Sequence, residues 1–216
     1  MLTVRTVGNR HSKRWYLECV SFDISSFDLM TSLTEITDIG EISRNMLLHL
    51  IDSSALFKGY SSPILNTHYG YDAAFVSKIE GCSSNSDIKK AIISDLGVSS
   101  DDISEEDCEL VKVSVGMVAK RAAVLAACAI GAVILHTGND KSPSDSGIED
   151  EEDKGVDVGL DGSVAEFLPS FQERMREALR VIIGEKGEKR VRMGLAKDGS
   201  GVGGMSFPFL FGNARM

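Results

Sequence analysis

Cysteine is scarce and never paired along the chain. Cys19, Cys82, Cys108 and Cys128 are the only four in 216 residues. They stand too far apart for a C-x-x-C redox motif or for zinc-ligand spacing. Scattered thiols of this kind fit a reducing, intracellular compartment. Cys128, inside "VLAACAIGAVIL", is expected to be a small buried core residue. Positive charge is in deficit as well: 23 Lys and Arg against 32 Asp and Glu leave a formal charge of −9. A binder of phosphate backbones needs clustered cations, so nucleic acid is not an expected partner. Basic residues do gather between positions 174 and 192, but Glu177, Glu185 and Glu188 are interleaved with them, which makes a solvated face of mixed charge. The opening "MLTVRTVGNRHSKRW" has no apolar signal core, so no secretory signal is read. The longest apolar run, residues 122–135, falls short of a bilayer's thickness and reads as a buried helix. The expectation is a cytoplasmic chain with no membrane partner. His68 and His136 have no Cys or Asp at ligand spacing, and no protein-bound metal is expected.

What is present suits a real core, since 43% of residues are hydrophobic and the length allows one domain or two small lobes. The first 35 residues show no firm period beyond a candidate strand at 15–22. In "GEISRNMLLHLIDSSALF", Ile42, Met46, Leu50 and Ile51 fall on one helical stripe. Glu41 there suits the positive end of the helix dipole, and Lys58-Gly59 reads as a stop. "SDIKKAIISDLG" predicts a second helix with Ile88, Ile92 and Leu96 inward and Gly97 as a left-handed cap. A third helix opens at Ser104, where Ser104 and Asp107 make a capping box, and runs to about residue 135. Gly116 is its candidate break, and its alanine-rich second half invites close packing. Glu105, Glu106 and Asp107 read as partners of the helix dipole rather than as paired catalytic carboxylates. Residues 138–155, with the acidic run 149–153, form an exposed polar loop.

The last third has a sharper pattern. "GVDVGLDGS" reads as a strand ending in a glycine turn. "LPSFQERMREALRVIIG" reads as an amphipathic helix with Pro169 in its first turn, with Phe171, Met175, Leu179 and Ile182 on one side and Gly184 at its end. "EKRVRMGLAKDGSGVG" reads as a second strand and a second glycine turn. Strand, helix and strand in this order predict a parallel pair with a right-handed crossover. No G-x-G-x-x-G with an acidic residue some twenty positions further on is present, so the dinucleotide fingerprint is missing. The two glycine turns lie at the carboxyl ends of neighbouring strands. That edge is where α/β proteins bind ligands, and free backbone N–H groups there, followed by a helix N-terminus, can hold a nucleotide. Read by themselves, the same glycines also serve as plain turns.

Four segments in order resemble the hexokinase family, glucokinase-type enzymes included: "IGEISRNMLLHLIDSSALFKG", "AAFVSKIEG", "VGMVAKRAAVLAACAIGAVI" and "VDVGLDGSVAEFLPSFQERMREALRVIIGEKGEKRVRMGLAKDGSGVGG". The resemblance spans about residues 39–203. It implies an α/β fold, helix-rich, forming part of the large lobe of the actin-like, ribonuclease H-like ATPase fold. It further implies transfer of phosphate from ATP to a hexose such as glucose at its 6-hydroxyl, with Mg2+ arriving on the ATP. Carried over residue by residue, Gly162, Ser163 and Val164, with the residues up to Phe167, match the adenosine-contacting element. Ser77 matches a serine that meets the nucleotide, and Asp198, Gly199, Ser200 and Gly201 match the family's terminal glycine turn.

The departures from the family pattern carry equal information. The family's Asp-x-Gly-Gly-Thr phosphate motif and its N-T-D segment with the catalytic base occur nowhere in this sequence, so no catalytic residue is assigned. Thr31 stands where a glucose-holding glutamate is expected, and Ala73 where a nucleotide-contacting threonine is expected. Pro208 interrupts the family's closing helix. The expected organisation is a divergent segment 1–38, a hexokinase-type adenosine-binding domain 39–203 and a divergent tail 204–216, in a truncated or rearranged chain. Against the phosphotransferase reading stands a catalytically dead nucleotide-binding lobe, or a fragment that works through interactions, with a partner lobe or an oligomer covering exposed core.

Overall fold

The computed structural model describes residues 2–6, 36–141, 155–160 and 162–195. Among them, strand β1 (Leu2–Thr6) pairs antiparallel with β2 (Val156–Leu160), which pairs parallel with β3 (Val191–Leu195). The sheet order is β1-β2-β3, with Val158 opposite both Val4 and Met193. Val156, Val158 and Leu160 turn one face of β2 into the core, while Asp157 faces the other side and pairs with Arg192 at 2.6 Å. The predicted parallel pair is present. The strand expected at 15–22 lies outside the described residues.

The helices are α1 (Ile36–Asp52), α2 (Pro63–Asn66), α3 (Ala73–Gly81), α4 (Asn85–Ala91), α5 (Glu105–His136), α6 (Ser163–Phe167) and α7 (Phe171–Lys189). On α1 the buried row is Ile39, Ser43, Leu47 and Ile51. Of the expected stripe, Ile51 lies in this row, while Ile42, Met46 and Leu50 only flank it, partly buried. A serine in the middle of the row hides it from a hydrophobic count. Ser43 is tolerated there because its hydroxyl accepts a hydrogen bond from the buried Tyr71 hydroxyl at 3.0 Å. After α4, a wide turn over Ile92–Leu96 completes the second predicted helix. Ile88, Ile92 and Leu96 are fully buried, and Gly97 caps the turn in the left-handed region.

α5 is one unbroken helix of 32 residues, so Gly116 does not break it. Its capping box forms as the sequence predicts: Ser104 Oγ accepts from the Asp107 amide at 3.1 Å, and Asp107 Oδ2 accepts from the Ser104 amide at 2.8 Å. Asp107 Oδ1 also accepts from the Phe57 amide at 3.0 Å, tying the helix start to the turn after α1. By length and composition α5 is apolar enough to cross a membrane, contrary to the shorter run read from the sequence. Half of its most apolar window is buried inside the fold, as in a core helix. Its small residues bring α7 close: a methyl at Gly131 would stand 2.7 Å from Ile182 Cγ2. Cys128, expected in the core, is exposed instead. Ala126, Ala127 and Ile130 face inward and turn position 128 to the opposite side.

α7 begins after Pro169, not with it. Ser170 takes a left-handed conformation and the helix starts at Phe171. Phe171, Met175 and Leu179 are buried, and the regular helix kinks at Gly184 before one more stretch to Lys189.

Candidate functional site

Three elements meet at a cleft of about 270 Å³, lined by Ile39 of α1, Asp72, Ala73, Ala74 and Ser77 at the start of α3, and Ser163, Val164, Phe167 and Leu168 around α6. Its floor depends on how closely α1 crosses the start of α3. A methyl on Gly40 would lie 2.8 Å from the Asp72 carbonyl carbon, so glycine is what lets the two backbones touch. Asp72 then caps α3, its Oδ1 accepting from the Ala74 amide at 2.8 Å, and this holds the first turn and Ser77 in place.

Glu41, next to that glycine, is 7% exposed and ion-paired. Arg44 grips it with two bonds, Nε to Oε2 at 2.7 Å and Nη2 to Oε1 at 2.6 Å. Arg44 Nη1 donates to the Leu65 carbonyl at 2.5 Å, the Tyr69 amide donates to Glu41 Oε2 at 2.9 Å, and Asn45 donates to Oε1 at 3.1 Å. The Arg44 bonds, opposed by burial and helped by Tyr69 and Asn45, lower the Glu41 carboxyl from 4.5 to about 2. The sequence reading of Glu41 as a partner of the helix dipole is therefore corrected. It lies well inside a helix that starts at Ile36, and it ties the 65–69 loop to α1. Burial pushes the neighbouring Tyr71 phenol well above its usual range, and its ring packs edge-on against Phe75 at 4.8 Å.

On the far wall, Gly162 has φ +121° and ψ +150°, and nothing lies within 4 Å of where a side chain would start. This region of backbone space is essentially reserved for glycine. Gly162→Ala is expected to lower stability by about 1–3 kcal/mol through strain alone, read as a lowered midpoint in urea unfolding. A midpoint equal to the wild type would show that the turn relaxes freely.

Chemically the cleft is an apolar slot edged by two hydroxyls, from Ser77 and Ser163, with Asp72 as its one charged lining residue. That combination suits a flat heteroaromatic ring whose amino groups donate hydrogen bonds at the rim. Of the residues singled out from the sequence, Ser77, Ser163 and Val164 come together in this cleft, and Gly162 stands at its edge as the residue before α6. Asp198, Gly199, Ser200, Gly201 and Thr31 lie outside the described residues. Sequence reasoning missed Ile39 and Asp72. The signal for Asp72 was present as an N-cap aspartate before the apolar "AAFV". Among the described residues no group of His, Cys, Asp and Glu is placed to hold a metal ion.

The sequence model of the family described as Hexokinase matches residues 38–206. A glucokinase from Aspergillus niger is 33% identical over 179 residues, which cover 76% of this chain and 34% of that protein. Hexokinase-2 of Schizosaccharomyces pombe is 29% identical over 76% of this chain and 33% of its own length. Human hexokinase-1 is 31% identical over 76% of this chain and 16% of its own. The chain thus spans about a third or less of these relatives. Among solved structures, a hexokinase from Schistosoma mansoni complexed with glucose superposes with a TM-score of 0.62 at 22% identity, covering 78% of this chain and 34% of that one.

Proposed function

This chain belongs to the hexokinase family, and on that premise we propose that its cleft between α3 and α6 binds the adenosine of ATP for transfer of phosphate to a hexose 6-hydroxyl. One observation carries the reading. Ser77 and the Ser163-Val164 turn, which match the family's nucleotide-contacting positions from segments far apart in sequence, line the same slot. Gly162, and the turn Asp198-Gly199-Ser200-Gly201, belong to the same proposed site by that resemblance. The proposed division of labour is simple. The apolar walls take the base, the Ser77 and Ser163 hydroxyls orient it, and Mg2+ comes bound to the ATP phosphates and water, with no ligand assigned to it from this chain.

Calorimetric titration of the purified chain with magnesium-ATP tests the site. Measurable binding that weakens about tenfold in Ser77→Ala/Ser163→Ala is expected, since each lost hydrogen bond removes about 0.5–1.5 kcal/mol. Binding that is absent, or unchanged in the double variant, would sink the assignment.

A second reading, a non-catalytic lobe that pairs with another polypeptide, is favoured by a different observation. Val113, Met117 and Leu135 lie exposed by 54%, 52% and 47% along the outer side of α5, apolar surface of the kind that a partner covers.

A further inference from the structure

The two walls of the cleft have little direct contact with each other. α3 rests on α1, α4 and α5, whereas α6 rests on α7, which packs along α5 in turn. A largely buried ion pair links α3 directly to α7. Glu80, one turn beyond Ser77 on α3, meets Arg174 of α7 with Oε2 2.5 Å from Nη2, their side chains 7% and 24% exposed. Gly116 of α5 makes room behind it, since a methyl there would stand 2.9 Å from Glu80 Oε1. The contact engages only one arm of the guanidinium. Arg174 Nη1 is the one buried side-chain nitrogen or oxygen among the described residues without a hydrogen-bond partner. Folded proteins leave few such atoms, and each one calls for a reason. Stability is a poor one, because a buried pair roughly breaks even against apolar side chains of the same size, and a half-satisfied pair does worse. Geometry is a better one: beside the shared packing on α5, the charge pair is a direct tie between the helix that carries Ser77 and the helix on which α6 rests.

We propose that Glu80 and Arg174 are positioning residues that set the spacing of the α6 wall against the α3 wall, and so preorganise the cleft for its ligand. The proposal rests on the cleft being the nucleotide site. Preorganisation raises affinity by removing the cost of ordering the site at binding. The pair touches no ligand in this scheme and acts through Ser77 on one side and Ser163 to Leu168 on the other.

The test compares wild type, Arg174→Met, Arg174→Lys and the double variant Glu80→Met/Arg174→Met by three readouts: thermal midpoint, calorimetric affinity for magnesium-ATP, and hydrogen exchange of the α6 amides. Arg174→Met strands a buried carboxylate and is expected to be the least stable. The double variant is expected to recover the wild-type midpoint, while still binding magnesium-ATP about tenfold more weakly and exchanging its α6 amides roughly tenfold faster. Arg174→Lys, which keeps the charge but not the fork, is expected to fall between. Affinity and exchange returning to wild type together with the midpoint in the double variant would overturn the proposal, because the pair would then be merely structural. If the wild-type chain binds no magnesium-ATP, the nucleotide reading fails. The exchange readout then decides alone: faster α6 exchange in the double variant supports the spacing role, and unchanged exchange overturns it.

Discussion

Arg44→Met is expected to destabilise the fold by about 3 kcal/mol or more, the cost of leaving a buried carboxylate without its cation. Few side chains in the described core carry so many ties. Arg44 is 5% exposed, grips Glu41 with two bonds and also holds the Leu65 carbonyl. Its loss frees the 65–69 loop and with it the Tyr69 amide bond to Glu41. The same pair gives a pH signature. Glu41 titrates at about 2 when folded against 4.5 ordinarily. A depressed carboxyl contributes stability that is complete above the unfolded value and is lost as pH falls through the folded one. Wild-type stability is therefore expected to drop between about pH 4.5 and pH 2, and Arg44→Met is expected to flatten that part of the curve. Urea midpoints across pH 2–6 measure both effects. Parallel curves for the two proteins would show that the pair does not set the acid limb.

The second large effect concerns turnover. The 216-residue chain is expected to phosphorylate glucose at least about 10²–10⁴-fold more slowly than a hexokinase-family enzyme that carries its general base, the range attributed to base catalysis alone. Phosphoryl transfer relies on positioning and on electrostatic stabilisation of the moving group. The sequence holds neither the Asp-x-Gly-Gly-Thr motif nor the N-T-D segment of the family pattern, and by the resemblance Thr31 is expected where the family has a sugar-binding glutamate. The proposed adenosine cleft uses none of these groups, so a chain that binds magnesium-ATP through its adenosine and leaves glucose unphosphorylated is the expected combination. A coupled assay for glucose 6-phosphate, run beside the calorimetry, decides it. Turnover at rates typical of enzymes, about 1–10³ per second, would mean that other carboxylates have taken the missing roles.

Several pieces of the fold were legible because their signals are local. The capping box at Ser104, the left-handed Gly97 and the row of Ile88, Ile92 and Leu96 each follow from spacing within a few residues. The parallel pair of β2 and β3 was legible from strand, helix and strand in order. Other features were not. Ser43 disguised the buried row of α1, because its fitness for the core depends on the hydroxyl of Tyr71, 28 residues away. Cys128 looked buried because its neighbours are apolar, but which side of α5 faces inward depends on where α1, α3 and α7 pack. The cleft was half legible. Ser77, Ser163 and Val164 were identified through the resemblance, while Ile39 and Asp72 entered it only through the crossing at Gly40.

By itself, the sequence determined the local elements, the family and the chemical types available to the site. Hydrophobic period, caps and glycine turns act over one or two helical turns and need no partner elsewhere. Tertiary structure decided which of those residues share a surface. The contact of Gly40 with Asp72, the grip of Arg44 on Glu41 beneath the 65–69 loop, and the bridge from Glu80 to Arg174 each join or anchor segments whose approach is set by packing. Burial energy and ion-pair geometry depend on distance in space, and nothing in the spacing along the chain encodes that distance directly.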